Sequence, residues 1–278
     1  MLRTGLRTFL AVVLAIAVGV FALAGSNMVK AASTTKSLST NFTLVNLGSQ
    51  EATVTVAYYK DDGNAWAAAP GNTSFTIPAN GGQKIVYQYF DTTMSTGRGS
   101  AVISSNQQLG ALAQIVARNQ TPTSGAYSGF TSSSSTWYIP LVSRRGNSAS
   151  GTTNSQIIIQ NADSTAVDVT VTLTARSGST GNYTKNITGL KVGSSFYYDI
   201  DDEGPSATPW FGAATVTAAA GKKITVVSNF FLGADGMQTF NAFPIERVGT
   251  TWLAPIFYSR LPNNLSSPIS IQNLSGGT

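Results

Sequence analysis

The sequence predicts an all-β chain: tandem antiparallel β-sandwiches behind a signal peptide, followed by an incomplete third unit. Three observations predict this. A long stretch recurs, with residues 136–161 reading TWYIPLVSRRGNSASGTTNSQIIIQN and residues 251–273 reading TWLAPIFYSRLPNNLSSPISIQN. Trp137 and Trp252 are 115 apart, as are Pro140 and Pro255, Arg145 and Arg260, and Asn46 and Asn161; Asn161 and Asn273 are 112 apart. A period this long is one sandwich domain, not a solenoid coil. Second, apolar residues alternate with period two in several segments, and no window sustains a helical period. Third, only 10% of the residues are charged, and Ser, Thr, Asn and Gly carry the polarity instead, which suits a weakly charged β-rich surface.

Residues 1–31 read as the signal peptide. Arg3 and Arg7 precede an apolar run from Phe9 to Ala24, and Val29-Lys30-Ala31 supplies a small-residue exit, with cleavage expected after Ala31. Sixteen apolar residues are short for a membrane span of about 20. Removing Arg3, Arg7 and Lys30 lowers the net charge from +5 to +2. The remaining Lys and Arg are scattered, without the basic stripe that nucleic-acid binding needs. Export without cysteine suits a bacterial envelope better than a disulfide-built domain, so the expected address is extracellular or cell-surface, with no membrane contact after cleavage.

The first repeat is expected over 33–135. Phe42 to Leu47 is a short strand, turned by Asn46, Gly48 and Ser49. Ala52, Val54, Val56 and Tyr58 alternate inward next. Ser74 to Ile77 is a strand stopped by Pro78, and Asn80-Gly81-Gly82 turns the chain. Ile85, Tyr87 and Tyr89 are expected to point inward, and Gly99 to Ser104 and Leu109 to Val116 complete the set.

The second repeat, over 136–250, returns the same order. Val167, Val169, Val171 and Leu173 match Ala52 to Tyr58 at a spacing of 115; Phe196, Tyr198 and Ile200 match Ile85, Tyr87 and Tyr89 at 111; Gly212, Ala214 and Val216 match Gly99, Ala101 and Ile103 at 113. Tyr127 and Phe130 match Phe240 and Phe243, also at 113. With Trp137, Pro140, Trp252 and Pro255 these aromatics are expected to anchor the junctions between repeats. Residues 251–278 read as the first strands of an incomplete third repeat. Either they belong to a longer array, or the spare Trp-x-x-Pro strand, which the first repeat lacks, fills an open edge on another molecule.

Composition removes much chemistry. With no His and no Cys there is no Ser-His-Asp triad, no Cys-His pair and no imidazole or thiolate zinc site. Oxygen-ligand calcium sites and paired carboxylates remain. Asp199, Asp201, Asp202 and Glu203 form the densest acidic run and are the candidate Ca2+ loop, although the distal Glu and flanking helices of a calcium-binding helix pair are missing. Asp61 and Asp62 are a weaker version. Trp66, Trp210 and Phe211 lie outside the alternating pattern and are the candidate sugar-stacking residues.

The combined string is more telling than its parts: GAYSGF, a Ser/Thr spacer, TWYIPLV, SQIIIQNADSTAVDVTVTLT and a later GAATV strand. It resembles a tandem extracellular repeat of secreted and cell-surface proteins from filamentous green non-sulfur bacteria (Chloroflexota). The resemblance implies Ig-like domains and no catalytic residues. The expected function is that of an exported, non-catalytic structural or adhesion module whose partners are neighbouring repeats or other surface proteins, or a polysaccharide. The alternative is a set of carbohydrate-binding or spacer domains attached to an extracellular enzyme beyond the C-terminus.

Overall fold

The computed structural model describes residues 38–117, 124–148, 151–233, 236–260 and 267–275. The expected signal peptide and its cleavage point lie outside the described residues, and among those residues no helix is long and apolar enough to cross a membrane. The fold is all-β and antiparallel.

In the first repeat the strands are β1 (Leu38–Asn46), β2 (Ala52–Lys60), β3 (Ser74–Ile77), β4 (Gln83–Tyr87), β5 (Gly99–Ser105), β6 (Leu109–Ala117) and β7 (Ser124–Ser128). They form one sheet in the order β4-β1-β6-β7 and another in the order β3-β2-β5. Both sheets contribute to one buried cluster: Phe42 and Leu44 on β1 and Val86 on β4 meet Val54, Val56 and Tyr58 on β2 and Ile77 on β3.

The second repeat contains β8 (Thr136–Arg144), β9 (Gly146–Ser148), β10 (Gly151–Asn161), β11 (Val167–Ala175), β12 (Tyr183–Leu190), β13 (Ser195–Asp199), β14 (Trp210–Ala218), β15 (Ile224–Leu232), β16 (Gly236–Asn241) and β17 (Phe243–Pro244). Its sheets run β13-β10-β15-β16 and β12-β11-β14-β8-β17. They enclose a larger cluster that includes Trp137, Ile139, Ile157, Ile159, Val171 and Trp210. Burying each such side chain contributes about 1.5–3 kcal/mol.

The strand orders of the two halves correspond, with β8 and the short β9 and β17 as additions in the second. Leu44 opposite Ala111 answers to Ile159 opposite Val226, and Val56 opposite Ile103 answers to Val171 opposite Val216. The alternation read from Ala52 to Tyr58 and from Val167 to Leu173 points inward as expected, because a half-buried strand buries every second side chain.

Three expectations need correction. The seven strands of the first repeat divide four and three, as in a constant-type Ig domain, but the wiring differs. The first strand sits between the fourth and sixth, whereas the Ig order places the first beside the second. Second, Ile85, Tyr87 and Tyr89 do not point inward: Val86 is fully buried, while Ile85 is 38% exposed. Phe42 pairs with Val86 as Ile157 pairs with Tyr198, so the correct spacing is 112, and the expected 111 is a one-residue slip that exchanges the faces. Third, residues 251–260 and 267–275 form no strand; among the described residues a single backbone bond joins them, from the Ser267 amide to the Tyr258 carbonyl at 3.0 Å, too little for a ladder.

Pro140 sits inside β8, where the ladder to β14 shifts register between Gly212 and Ala214. Proline has no N–H to give, so a bulge there costs no hydrogen bond.

Candidate functional site

The best-built feature outside the two cores is the junction between the repeats. The outward face of the β13-β10-β15-β16 sheet is covered by the first repeat. Outward-facing Val227 and Asn229 on β15 are 7% and 4% exposed, so this strand is buried on both faces. Tyr197 Oη donates to the Gly99 carbonyl, and Ser100 Oγ donates to the Gly193 carbonyl, each at 2.5 Å. Gln160 Nε2 lies 3.1 Å from the Gly193 carbonyl and 3.4 Å from that of Ala101. The Arg98 guanidinium stacks 5.0 Å from the Tyr197 ring centroid. Burial, then the nearby Tyr127, pushes the Tyr197 phenol up to about 12.

Beside it, the Asn241 side chain clasps the backbone of Ser128. Its Nδ2 donates to the Ser128 carbonyl at 2.8 Å, and its Oδ1 accepts the Ser128 N–H at 3.1 Å. One amide thus satisfies both backbone groups of an edge-strand residue. Two glycines allow the close approach. A Cβ on Gly125 would meet Thr239 Oγ1 at 2.2 Å, and one on Gly193, whose φ is +73°, would meet the Tyr59 ring at 2.6 Å.

Similar contacts recur around residues 249–260 and 267–275. Gln272 Nε2 approaches the Ala214 carbonyl at 3.5 Å; Gln272 is 112 after Gln160, and Ala214 is 113 after Ala101. Phe130 meets Trp137 edge-on at 5.3 Å between centroids, and Phe243 meets Trp252 edge-on at 5.1 Å. Trp137 Nε1 donates to the Ser134 carbonyl at 3.2 Å, as Trp252 Nε1 does to that of Gly249 at 3.2 Å.

No family model matches this chain, and neither a curated protein nor a solved structure matches it.

The expected junction aromatics divide by role. Trp137 is a core residue of the second repeat, at 2% exposure, and Phe130 and Phe240 pack against the same core. Tyr127 packs against the first core. Phe243 and Trp252 pair with each other outside both, with Trp252 60% exposed. Pro140 makes the bulge in β8, and Pro255 lies in its uncovered counterpart.

The acidic run does not converge. Asp201 is buried and paired with Arg145 Nε at 2.5 Å, with Arg144 Nε at 4.0 Å. Glu203 accepts from Lys185 Nζ and Tyr183 Oη, each at 2.5 Å. These bonds, the Lys185 one foremost, hold the Glu203 carboxyl below its ordinary range. Asp199 Oδ1 takes the Asp201 amide at 3.0 Å, and Asp202 faces solvent. Among the described residues no group of three carboxylates could hold a metal ion. Two of the four carboxylates in the candidate Ca2+ loop, Asp201 and Glu203, are therefore tied to cationic side chains of their own instead of being turned toward a shared point.

The candidate sugar-stacking residues form no platform. Trp210 is fully buried, and its Nε1 donates to the Gly181 carbonyl at 2.9 Å. It opens the inward series Trp210, Gly212, Ala214, Val216, so the period-two pattern could have placed it. Phe211 points outward under the Arg176 guanidinium, 4.4 Å from its centroid. Trp66 is half-buried against the first core, and its Nε1 donates to Ser95 Oγ at 3.1 Å. Asp61 and Asp62 line an open groove of about 350 Å³ together with Lys185, Lys191 and Phe196.

Sequence reasoning missed Gln160, Tyr197, Gly193, Ser100 and Asn241. One signal was present: ITVVSNFFL on β15 puts apolar residues at adjacent positions on both sides of Ser228 and Asn229, the mark of a strand covered on both faces.

Proposed function

We propose that this chain is an exported, non-catalytic structural module, a run of tandem β-sandwiches serving as a spacer or adhesion element at the cell surface or in an extracellular matrix. The observation that carries this reading is the recurrence of the junction. The contact of Gln160 with the Ala101 carbonyl returns as that of Gln272 with the Ala214 carbonyl, and the Phe–Trp pair returns with it. A bond pattern repeated between successive units fixes the angle between them, which a spacer needs and an isolated catalytic domain does not. The partners of each repeat are then its neighbours. The side chains suited to chemistry support the same reading, since Asp201 and Glu203 are spent on structural bonds. The resemblance to Chloroflexota surface repeats agrees with export, though not with the detailed wiring of an Ig domain.

Small-angle scattering tests the rod. The mature chain is expected to give one sharply bounded maximum dimension. Gly193→Val, which forces a side chain against Tyr59 at a positive φ, is expected to broaden that distribution while far-ultraviolet circular dichroism stays unchanged. Free hinging in the unsubstituted chain would refute the reading.

A further inference from the structure

The first repeat lacks a counterpart of the long strand β8 in the second. The β12-β11-β14 sheet continues to β8, whereas among the described residues the β3-β2-β5 sheet stops at β5. The consequence appears in the cores. Ala214 and Val216 on β14 are fully buried, while their counterparts Ala101 and Ile103 on β5 are only partly buried and Val102 is 41% exposed.

Residues 251–260 are a copy of the missing strand, already shaped for the role. Trp252 keeps the edge-on aromatic partner and the Nε1 bond of Trp137. The Tyr258 amide donates to Ser267 Oγ at 3.0 Å, as the Ser143 amide does to Ser155 Oγ at 3.0 Å. Arg260 turns at a φ of +51°, as Arg145 does at +46°. Yet Trp252 and Phe257 are each 60% exposed, where their counterparts Trp137 and Val142 of β8 are 2% exposed and fully buried. A second surface matches. The outward face of β4-β1-β6 shows Ile85 at 38% and Leu112 at 42% exposure, and the equivalent face of the second repeat is the one that the first repeat covers.

We propose that residues 251–260 of one copy add as an antiparallel strand to β5 in the first repeat of a second copy, so that chains join head to tail. Transferring the β8–β14 register places Trp252 opposite Ile103, Ala254 opposite Ala101 and Phe257 opposite Gly99, with Pro255 at the bulge that Pro140 makes. The second repeat of the donor then stands over Ile85 and Leu112 of the acceptor, as the first repeat stands over Val227 within one chain. The bonds that Tyr197 and Gln160 make to the Gly99 and Ala101 carbonyls do not bar the strand. Ala214 takes the equivalent Gln272 contact while β8 lies along the same strand. Strand addition to an open sheet edge is an established recognition mode, and a contact between two different surfaces of one chain propagates. The inference goes beyond the spacer reading and does not need it.

The test uses the absence of cysteine from the chain. Thr217 faces Thr136 across the β14–β8 ladder, so Ser104 and Thr251, both exposed, are the corresponding pair between copies. Reduced Ser104→Cys and Thr251→Cys chains are treated with a mild oxidant both alone and as a mixture, beside a mixture in which Glu51→Cys replaces Ser104→Cys. The expected result is a disulfide heterodimer in the Ser104/Thr251 mixture at least tenfold above the control, a ladder of higher species from the double variant, and loss of both with Phe257→Asp. A Ser104/Thr251 yield equal to the control, an intrachain bond in the double variant, or sedimentation mass that stays monomeric at all concentrations overturns the proposal. A failure here would leave the scattering test of the rod untouched.

Discussion

Asn161 is the residue that ends the central strand of the second repeat. It is 1% exposed, its Nδ2 donates to the carbonyls of Thr165 and Leu190 at 2.8 Å, and its Oδ1 accepts the Asp163 amide at 2.8 Å. Asn46 does the same in the first repeat, reaching the carbonyls of Gln50, Ile77 and Pro78 and the amide of Gly48. No other side chain offers two donors and an acceptor at that length. Asn161→Ala strands buried backbone groups and is expected to cost about 2–3 kcal/mol, read as a lower urea midpoint with an unchanged slope. The recurrence of this Asn was visible in the sequence, but its bonding was not, because the carbonyls it serves lie up to 32 residues away in Asn46 and 29 in Asn161.

At the scale of elements, the strands whose outer face is polar were legible, and a strand whose outer face is apolar was not. ATVTVAYY and VDVTVTLT announce their inner faces by plain alternation. QKIVY offers two alternations, and the more apolar one, Ile85 and Tyr87, lies outward, since the face it occupies is itself apolar. Single charges separate the two registers. Val86→Asp buries an unpaired carboxylate and is expected to cost at least about 3 kcal/mol. Ile85→Asp is expected to stay within about 1 kcal/mol of the parent, both read by chemical denaturation. The acidic run failed as a metal site for a similar reason: its cationic partners Arg144, Arg145 and Lys185 come from β8, the turn after it and β12, distant in sequence from Asp201 and Glu203.

The whole molecule has no imidazole, so it lacks the side chain that ordinarily titrates near neutral pH. The Asp91 carboxyl is raised by burial, but bonds from Asn72 and the amides of Ala69, Thr93 and Met94 outweigh this and hold it low. Glu203 is low as well. Groups depressed in the folded state contribute stability above their unfolded values, and that contribution is lost as pH falls below about 4. Burial acts oppositely on the phenols of Tyr58 and Tyr197, each raised to about 12. Their contribution is complete below the unfolded value of about 10 and is lost as pH rises beyond it. The melting temperature is therefore expected to be level from about pH 5 to about pH 9 and to fall on both sides. Asp91→Asn is expected to shallow the acid limb in calorimetry.

The clasp of Asn241 on Ser128 and the bonds of Tyr197, Ser100 and Gln160 join groups that carry no net charge. Dissolved ions weaken attraction between opposite charges over a Debye length of about 10 Å at 0.1 M, but they find little to weaken in this seam. Rainwater and brine leave those bonds nearly equally tight, while the Arg98 guanidinium over Tyr197 brings a charge to the seam.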